Sequence, residues 1–297
     1  MRRRREERYL LFVLVLIPFS LFGMGSRPRL TPASRPESKS TYLDSEQMLK
    51  TLSSELQTLH EGDRTTTMDV IRKQLSRKSC NAKLPVAAEP QESPVDLYEQ
   101  NKGAVLVVGS LHKCGKCDNW HTRIASGFLV TADGVMITNY HVVDHPDTTV
   151  MGAMTHDGRV YPVKEVLAAD EGGDIAVLQL EGDGFPYLSL SPKNHVGAGV
   201  SVISNPSKQF YTFTKGIISG RFVKTRNGSK IKRISVTADF GGGSSGAPVF
   251  NENGSVVGMV ASTQAVRTNA NCKHNYAQMV FKHCIPAELI LELFAVE

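Results

Sequence analysis

From Ala104 onward the chain is a succession of short apolar segments cut by Gly, Pro, Asn and Asp. Ala104 to Val108, Phe128 to Val130, Val135 to Thr138, Ile175 to Leu178, Val200 to Ile203, Thr212 to Ser219, Ile231 to Thr237 and Ser255 to Ser262 either run apolar or alternate. Many short strands with turn signals at this spacing predict a sandwich or a barrel. Asp133-Gly134, between Phe128 to Val130 and Val135 to Thr138, is a strong hairpin signal. With 41% hydrophobic residues in 297, the chain can bury a sizeable core as one or two domains.

Gly241 to Pro248 reads Gly-Gly-Gly-Ser-Ser-Gly-Ala-Pro. Such a segment sets a hydroxyl on a glycine-permitted turn where backbone N–H groups converge, which makes Ser245 a candidate nucleophile. Taken without context, a Gly/Ser run also reads as a plain loop, so the assignment needs a base and an acid. His141 follows a buried strand within Thr138-Asn139-Tyr140-His141-Val142-Val143, and Asp174 directly precedes Ile175-Ala176-Val177-Leu178. A single histidine after a strand is more often structural, and an Asp there is often a strand cap. The three together fit a nucleophile, a general base and an orienting carboxylate.

Their order, His141 then Asp174 then Ser245, is that of chymotrypsin-like peptidases and differs from that of subtilisins and α/β-hydrolases. The local sequence resembles the HtrA (Deg) type of trypsin-like serine peptidase at four places: Ser126-Gly127-Phe128, Thr138 to Val143, Asp174 to Leu178, and Gly243 to Pro248. The resemblance covers roughly Val95 to the C-terminus. It implies a mainly β chain, with two antiparallel six-stranded β-barrels, the site between them and a C-terminal helix, to which the helical spacing of residues 41–75 adds an N-terminal helical extension. It also implies acyl transfer, with the N–H groups of Gly243 and Ser245 as oxyanion hole and no cofactor or metal. HtrA-type enzymes end the protease on a helix like Ile285 to Phe294 and continue into a PDZ domain; this sequence is read as lacking one.

Three departures from the pattern matter. Ser244 stands where HtrA-type enzymes have Asn and digestive trypsins have Asp, and Ala247 replaces a glycine. No Ile-Val-Gly-Gly sequence occurs, so trypsin-style zymogen activation is not expected. The glycine run Gly241 to Gly243 suggests a mobile oxyanion loop that rests collapsed until substrate or assembly orders it.

Specificity is carried by two features. Asp239 lies six residues before Ser245, the separation at which trypsins carry the acid that selects Lys or Arg. HtrA-type enzymes carry an Asp two residues further back with an apolar pocket, which would make Asp239 a wall residue. Val260 followed by Ala261, Ser262 and Thr263 resembles the substrate-edge strand and is small and uncharged. The expected substrates are therefore unfolded or misfolded polypeptides cleaved after small apolar residues. The competing reading is a membrane-tethered binding or scaffold protein on an inactive protease fold.

Net charge is +5, but residues 1–40 hold nine Lys/Arg against three Glu and leave 25 Lys/Arg against 26 Asp/Glu in the rest. The basic excess is an N-terminal feature and no nucleic-acid partner is expected. Arg2 to Arg5, the apolar run Tyr9 to Phe22 and Gly23-Met24-Gly25-Ser26 fit an export signal, giving a periplasmic or extracellular protein. Cleavage of that signal and retention of residues 9–22 as a membrane anchor both fit. The expected organisation is residues 1–25 as signal peptide or signal-anchor, 26–94 as linker and helical segment, and 95–297 as the peptidase domain.

Within 26–94, Thr41 to His60 has the spacing of an amphipathic helix, and Met68 to Leu75 of a shorter one. The first could pack on the protease body, pair with another copy in a homo-oligomer, or act as a pro-segment. Of five cysteines, Cys272 and Cys284 could pair, leaving Cys80 odd. His112-x-Cys114-x-x-Cys117-x-x-x-His121 has zinc-site spacing. In an exported chain a short-loop disulfide or free thiols are the expectation for Cys114 and Cys117.

Overall fold

A computed structural model of the chain describes residues 42–85, 93–226, 228–267 and 277–294. Among these, strands β1 (Val105–Lys113), β2 (Trp120–Leu129), β3 (Val135–Thr138), β4 (Val150–Met154), β5 (Val160–Asp170) and β6 (Ile175–Leu180) close into a barrel in the order β1-β2-β3-β6-β5-β4. A second closed barrel runs β10-β11-β12-β9-β8-β7, from β7 (Gly199–Ser204), β8 (Thr212–Arg226), β9 (Ser229–Val236), β10 (Pro248–Phe250), β11 (Val256–Arg267) and β12 (Ala277–Pro286). Closure leaves no free sheet edge along the paired stretches. The mainly β, two-barrel, chymotrypsin-like architecture implied by the resemblance is the one observed.

The hairpin signal at Asp133-Gly134 joins β2 to β3, pairing Phe128 with Ile137 and Leu129 with Met136. Alternation along the strands sends Val105, Val107, Phe128, Ile137, Met154 and Val177 into the first core. Val200, Val202, Ile234, Val236, Val249 and Val260 fill the second.

Among the described residues, three α-helices precede the first barrel. Helix α1 (Ser45–Glu61) is N-capped by the Asp44 side chain, which accepts from the Gln47 N–H, and carries Glu46 in its first turn, where the helix dipole favours an anion. Its stripe is buried on the first barrel. Leu52 lies against Gly109 of β1 and Leu56 against Gly152 of β4, where any Cβ would meet the leucine methyls at 2.8 and 2.6 Å. Of the roles open to this helix, packing on the protease body is the one observed. Helix α2 (Met68–Gln74) follows and buries Met68 and Ile71.

Helix α3 (Pro94–Asn101) escaped the sequence reading, although Ser93-Pro94 is a cap followed by proline in the first turn. The closing helix is shorter than expected. Helix α5 covers only Ala287–Leu291, because the chain beyond it leaves the helix so that the Leu293 carbonyl can accept from the Cys80 N–H at 2.9 Å. Pro286 serves as its N-cap residue and still belongs to β12.

The thiols are free where described. Cys114 and Cys117 Sγ stand 3.5 Å apart, well beyond the roughly 2.05 Å of a disulfide, so of the two expected forms, disulfide or free thiols, the free thiols are the one present. Cys80 and Cys284 are buried free thiols, and burial pushes both thiol pKa values up. Cys272 lies outside the described residues, as does the Tyr9 to Phe22 run. No helix among the described residues is long and apolar enough to cross a membrane.

Candidate active site

The candidate base and acid come from the same end of a pair of neighbouring antiparallel strands. β3 ends at Thr138, and one helical turn, α4 (Tyr140–Val143), carries His141. β6 begins at Ile175, one residue after Asp174, and pairs with β3 through Thr138 and Ala176. Asp174 takes a positive φ of 65° at the end of the Glu171 to Asp174 turn. This backbone angle is held from outside: the Asp174 carbonyl accepts from Asn139 Nδ2 at 3.0 Å, and the Gly173 carbonyl accepts from buried Arg233 Nη2 at 3.0 Å.

The result is a fixed carboxylate facing an imidazole. His141 Nδ1 lies 3.0 Å from both Oδ1 and Oδ2 of Asp174, and the His141 main-chain N–H donates to Oδ1 at 3.1 Å. The Asp174 side chain is 11% exposed and the imidazole 49%. One side of the pair is therefore buried and the other opens to solvent. Beside it, burial raises the Tyr140 phenol, with the Asp144 and Glu171 carboxylates adding to the shift.

Ser245 shares a cleft of about 140 Å³ with His141, Gly243, Ala125, Arg123 and His145. Its turn is bound to both barrels. The Ser126 N–H of β2 donates to the Ser245 carbonyl at 2.8 Å, and the Gly246 N–H donates to the Val260 carbonyl of β11 at 3.0 Å. Ser244 is fully buried, its hydroxyl donating to Ser204 Oγ at 3.0 Å and accepting from the Gly241 N–H. The serine that departs from the family pattern thus braces the glycine run internally.

The glycine run that would form the oxyanion hole is tied down by hydrogen bonds. The Gly242 carbonyl accepts from the Ser207 N–H at 2.7 Å. Across a trans peptide the Gly243 N–H points the opposite way, and Gly243 lines the cleft beside Ser245. Among the described residues neither the Gly243 N–H nor the Ser245 N–H has an acceptor. Gly243 sits at φ 97°, and a Cβ there would collide with the Asn205 carbonyl oxygen, so only glycine fits.

A second set of residues, which sequence reasoning missed, holds that orientation. Ser126 and Asn205 are both fully buried at the junction of the barrels. Ser126 Oγ donates to the Gly243 carbonyl at 2.9 Å and accepts from the Asn205 N–H and Nδ2 at 3.2 and 3.0 Å. Asn205 Nδ2 also reaches the Leu106 carbonyl of β1, and its Oδ1 accepts from the Tyr211 N–H. Ser126 was visible only as part of a motif, and Asn205, in a polar loop, carried no signal of its own.

Removing the Ser126 hydroxyl would leave one carbonyl and two N–H donors short of a partner. Ser126→Ala is expected to cost about 1–3 kcal/mol of stability and to lower kcat as the Gly243 turn loosens. Chemical denaturation and steady-state rates check the two effects separately.

The specificity residues are placed elsewhere. Asp239, Ala261, Ser262 and Thr263 do not line the cleft of His141 and Ser245. The Asp239 carboxylate is 80% exposed and ion-paired with Lys282 of β12. Ala261 lies at a bulge of β11, between the pairs Val260 with Cys284 and Ser262 with His283. Ser262 and Thr263 are exposed, and beyond Val260 the opposite side of β11 has no strand partner among the described residues.

Comparison with known proteins agrees with the geometry. Residues 125–259 match the model of the trypsin-like peptidase domain. Similar sequences include proteins described as probable periplasmic serine endoproteases, DegP-like. That of Hahella chejuensis is 37% identical over 136 residues, covering 45% of this chain and 28% of that protein. The one from Chlamydia pneumoniae is 37% identical over 140 residues, with the same coverage of 45% and 28%. The Marinomonas protein is 33% identical over 140 residues, 46% of this chain and 29% of its own length. The chain thus spans less than a third of the curated relatives it matches.

Proposed function

We propose that this chain, which carries a trypsin-like peptidase domain over residues 125–259, is a serine endopeptidase with Ser245 as nucleophile, His141 as general base and Asp174 as orienting acid. The observation that carries this reading is the His141–Asp174 contact at 3.0 Å in a cleft shared with Ser245 and two unused N–H donors. With Nδ1 committed to the carboxylate, Nε2 is the nitrogen left to take the Ser245 proton as its oxygen attacks the scissile carbonyl. The same proton then passes to the leaving amine, and water repeats the sequence on the acyl-enzyme. The Gly243 and Ser245 N–H groups stabilise the oxyanion, each such donor being worth about 2.7–4 kcal/mol in the transition state.

The substrates we assign are unfolded or misfolded polypeptides cut after small apolar residues. The Lys282 partner of Asp239 and the small, uncharged side chains at Ala261, Ser262 and Thr263 support an apolar over a basic preference. Cleavage-site mapping on a denatured peptide library tests this: Ala, Val or similar residues are expected at P1. A majority of Lys and Arg would overturn the assignment.

We place the protein outside the cytoplasm, on the basic and apolar sequence of residues 1–25 and the periplasmic description of its relatives. Residues 26–94 then link that segment to the peptidase domain of 95–297, with α1 and α2 docked on its first barrel.

A further inference from the structure

The tip of the β1–β2 hairpin gathers soft and nitrogen ligands that the catalytic account does not use. β1 and β2 pair His112 with His121 and Lys113 with Trp120, and residues 114–119 form the loop between them. In that loop Cys114 and Cys117 Sγ lie 3.5 Å apart, and Cys117 Sγ lies 3.1 Å from His121 Nε2. All three ligand atoms fall within 4.8 Å of one another.

A tetrahedral zinc ion with Zn–S of about 2.3 Å and Zn–N of about 2.0–2.1 Å separates its sulfurs by about 3.75 Å, and sulfur from nitrogen by about 3.5 Å. The observed separations are within a few tenths of an ångström of these. A disulfide would require the sulfurs to be much closer and would leave His121 with no role.

The fourth ligand has an independent mark. His112 stands beside His121, ring centroids 5.6 Å apart and planes at 39°. Its Nδ1 is buried with no hydrogen-bond partner among the described residues. An orphaned imidazole nitrogen on the cross-strand neighbour of His121 calls for a ligand.

We propose that Cys114, Cys117, His121 and His112 form a tetrahedral site for a zinc-class divalent cation. His112 completes the coordination once its side chain is turned toward the other three ligands, and four protein ligands leave no open position, so the site is structural. The ion clamps a hairpin whose strands continue to Arg123, Ile124 and Ala125 in the catalytic cleft. Binding takes place on thiolates and neutral imidazoles, with release of the thiol protons.

The test uses the full chain, purified with its thiols reduced, equilibrated with zinc(II) and passed over a desalting column before metal analysis. One zinc per chain is expected, and cobalt(II) in its place should give the visible ligand-field bands of a tetrahedral thiolate complex. Cys114→Ser with Cys117→Ser should abolish retention while the far-ultraviolet circular dichroism stays unchanged. His112→Ala should weaken binding by at least the roughly 10- to 100-fold that loss of a group behind a ligand costs. The proposal is overturned if the wild type retains no zinc, if the double serine variant retains as much, or if the thiols form a disulfide that added zinc does not compete with. Unchanged affinity in His112→Ala would remove that residue from the site.

Discussion

Ser245→Ala is expected to lower kcat by ~10⁶-fold, leaving the ~10³–10⁴-fold advantage over water that an oxyanion hole and substrate binding provide alone. The size follows from the geometry. His141 is already ordered by Asp174, and the Gly243 and Ser245 N–H groups are already free beside it, so the nucleophilic oxygen is the part whose loss nothing nearby can replace. Neither Ser244, committed to Ser204, nor Ser126, committed to Gly243 and Asn205, can substitute for it. Fold should be unaffected, because the Ser245 side chain makes no hydrogen bond on which a neighbour depends, whereas its main chain is tied to Ser126. Turnover of a peptide identified by cleavage mapping, measured alongside thermal unfolding, checks both halves of this expectation.

Asp174→Asn should cost ~10⁴-fold in kcat near neutral pH, or about 5.4 kcal/mol of transition-state stabilisation. Both oxygens of Asp174 sit 3.0 Å from His141 Nδ1, and Oδ1 also accepts the His141 main-chain N–H. An amide oriented to satisfy the main-chain donor presents its oxygen there and its NH₂ to the ring. The ring is then held in the tautomer whose Nε2 carries the proton and cannot act as base. The positive φ of Asp174 is shared by Asn at little cost, so the variant should unfold near the wild-type temperature while its rate collapses. A fall in stability matching the fall in rate would instead make Asp174 a structural strand cap.

These residues were legible in the sequence because their chemistry constrains their neighbours. A nucleophile turn needs glycines at fixed offsets, and a base at a strand end needs an apolar strand before it. The same holds for the β2–β3 hairpin, where Asp133-Gly134 is a local signal for a local structure. α1 was legible as a helix from its leucine spacing, but its docking depended on Gly109 and Gly152, which lie 57 and 96 residues beyond Leu52 and Leu56.

Long-range partners explain the other gaps. β5 is interrupted by Pro162, Lys164 and Glu165 and bulges twice against β6, so its period was lost. The helix after Pro286 is expected to run to Phe294 from its opening proline and the family resemblance, whereas pairing with Cys80 ends it at Leu291. Gly241 to Gly243 reads as floppy in one dimension, yet Ser207, and Ser126 held by Asn205, fix it from distant parts of the chain. At the hairpin tip the Cys and His spacing was visible, but the choice between disulfide and metal turned on a sulfur separation and on an orphaned His112 nitrogen.

The central claim is that Ser245 is a nucleophile in a site already assembled for acyl transfer. The most direct measurement treats the purified chain with a fluorophosphonate and locates the adduct by mass spectrometry of its proteolytic peptides. The account predicts one phosphonyl group, on Ser245, formed without any added activator and absent from Ser245→Ala. A wild-type chain that stays unlabelled, or an adduct that persists in the alanine variant, would contradict it.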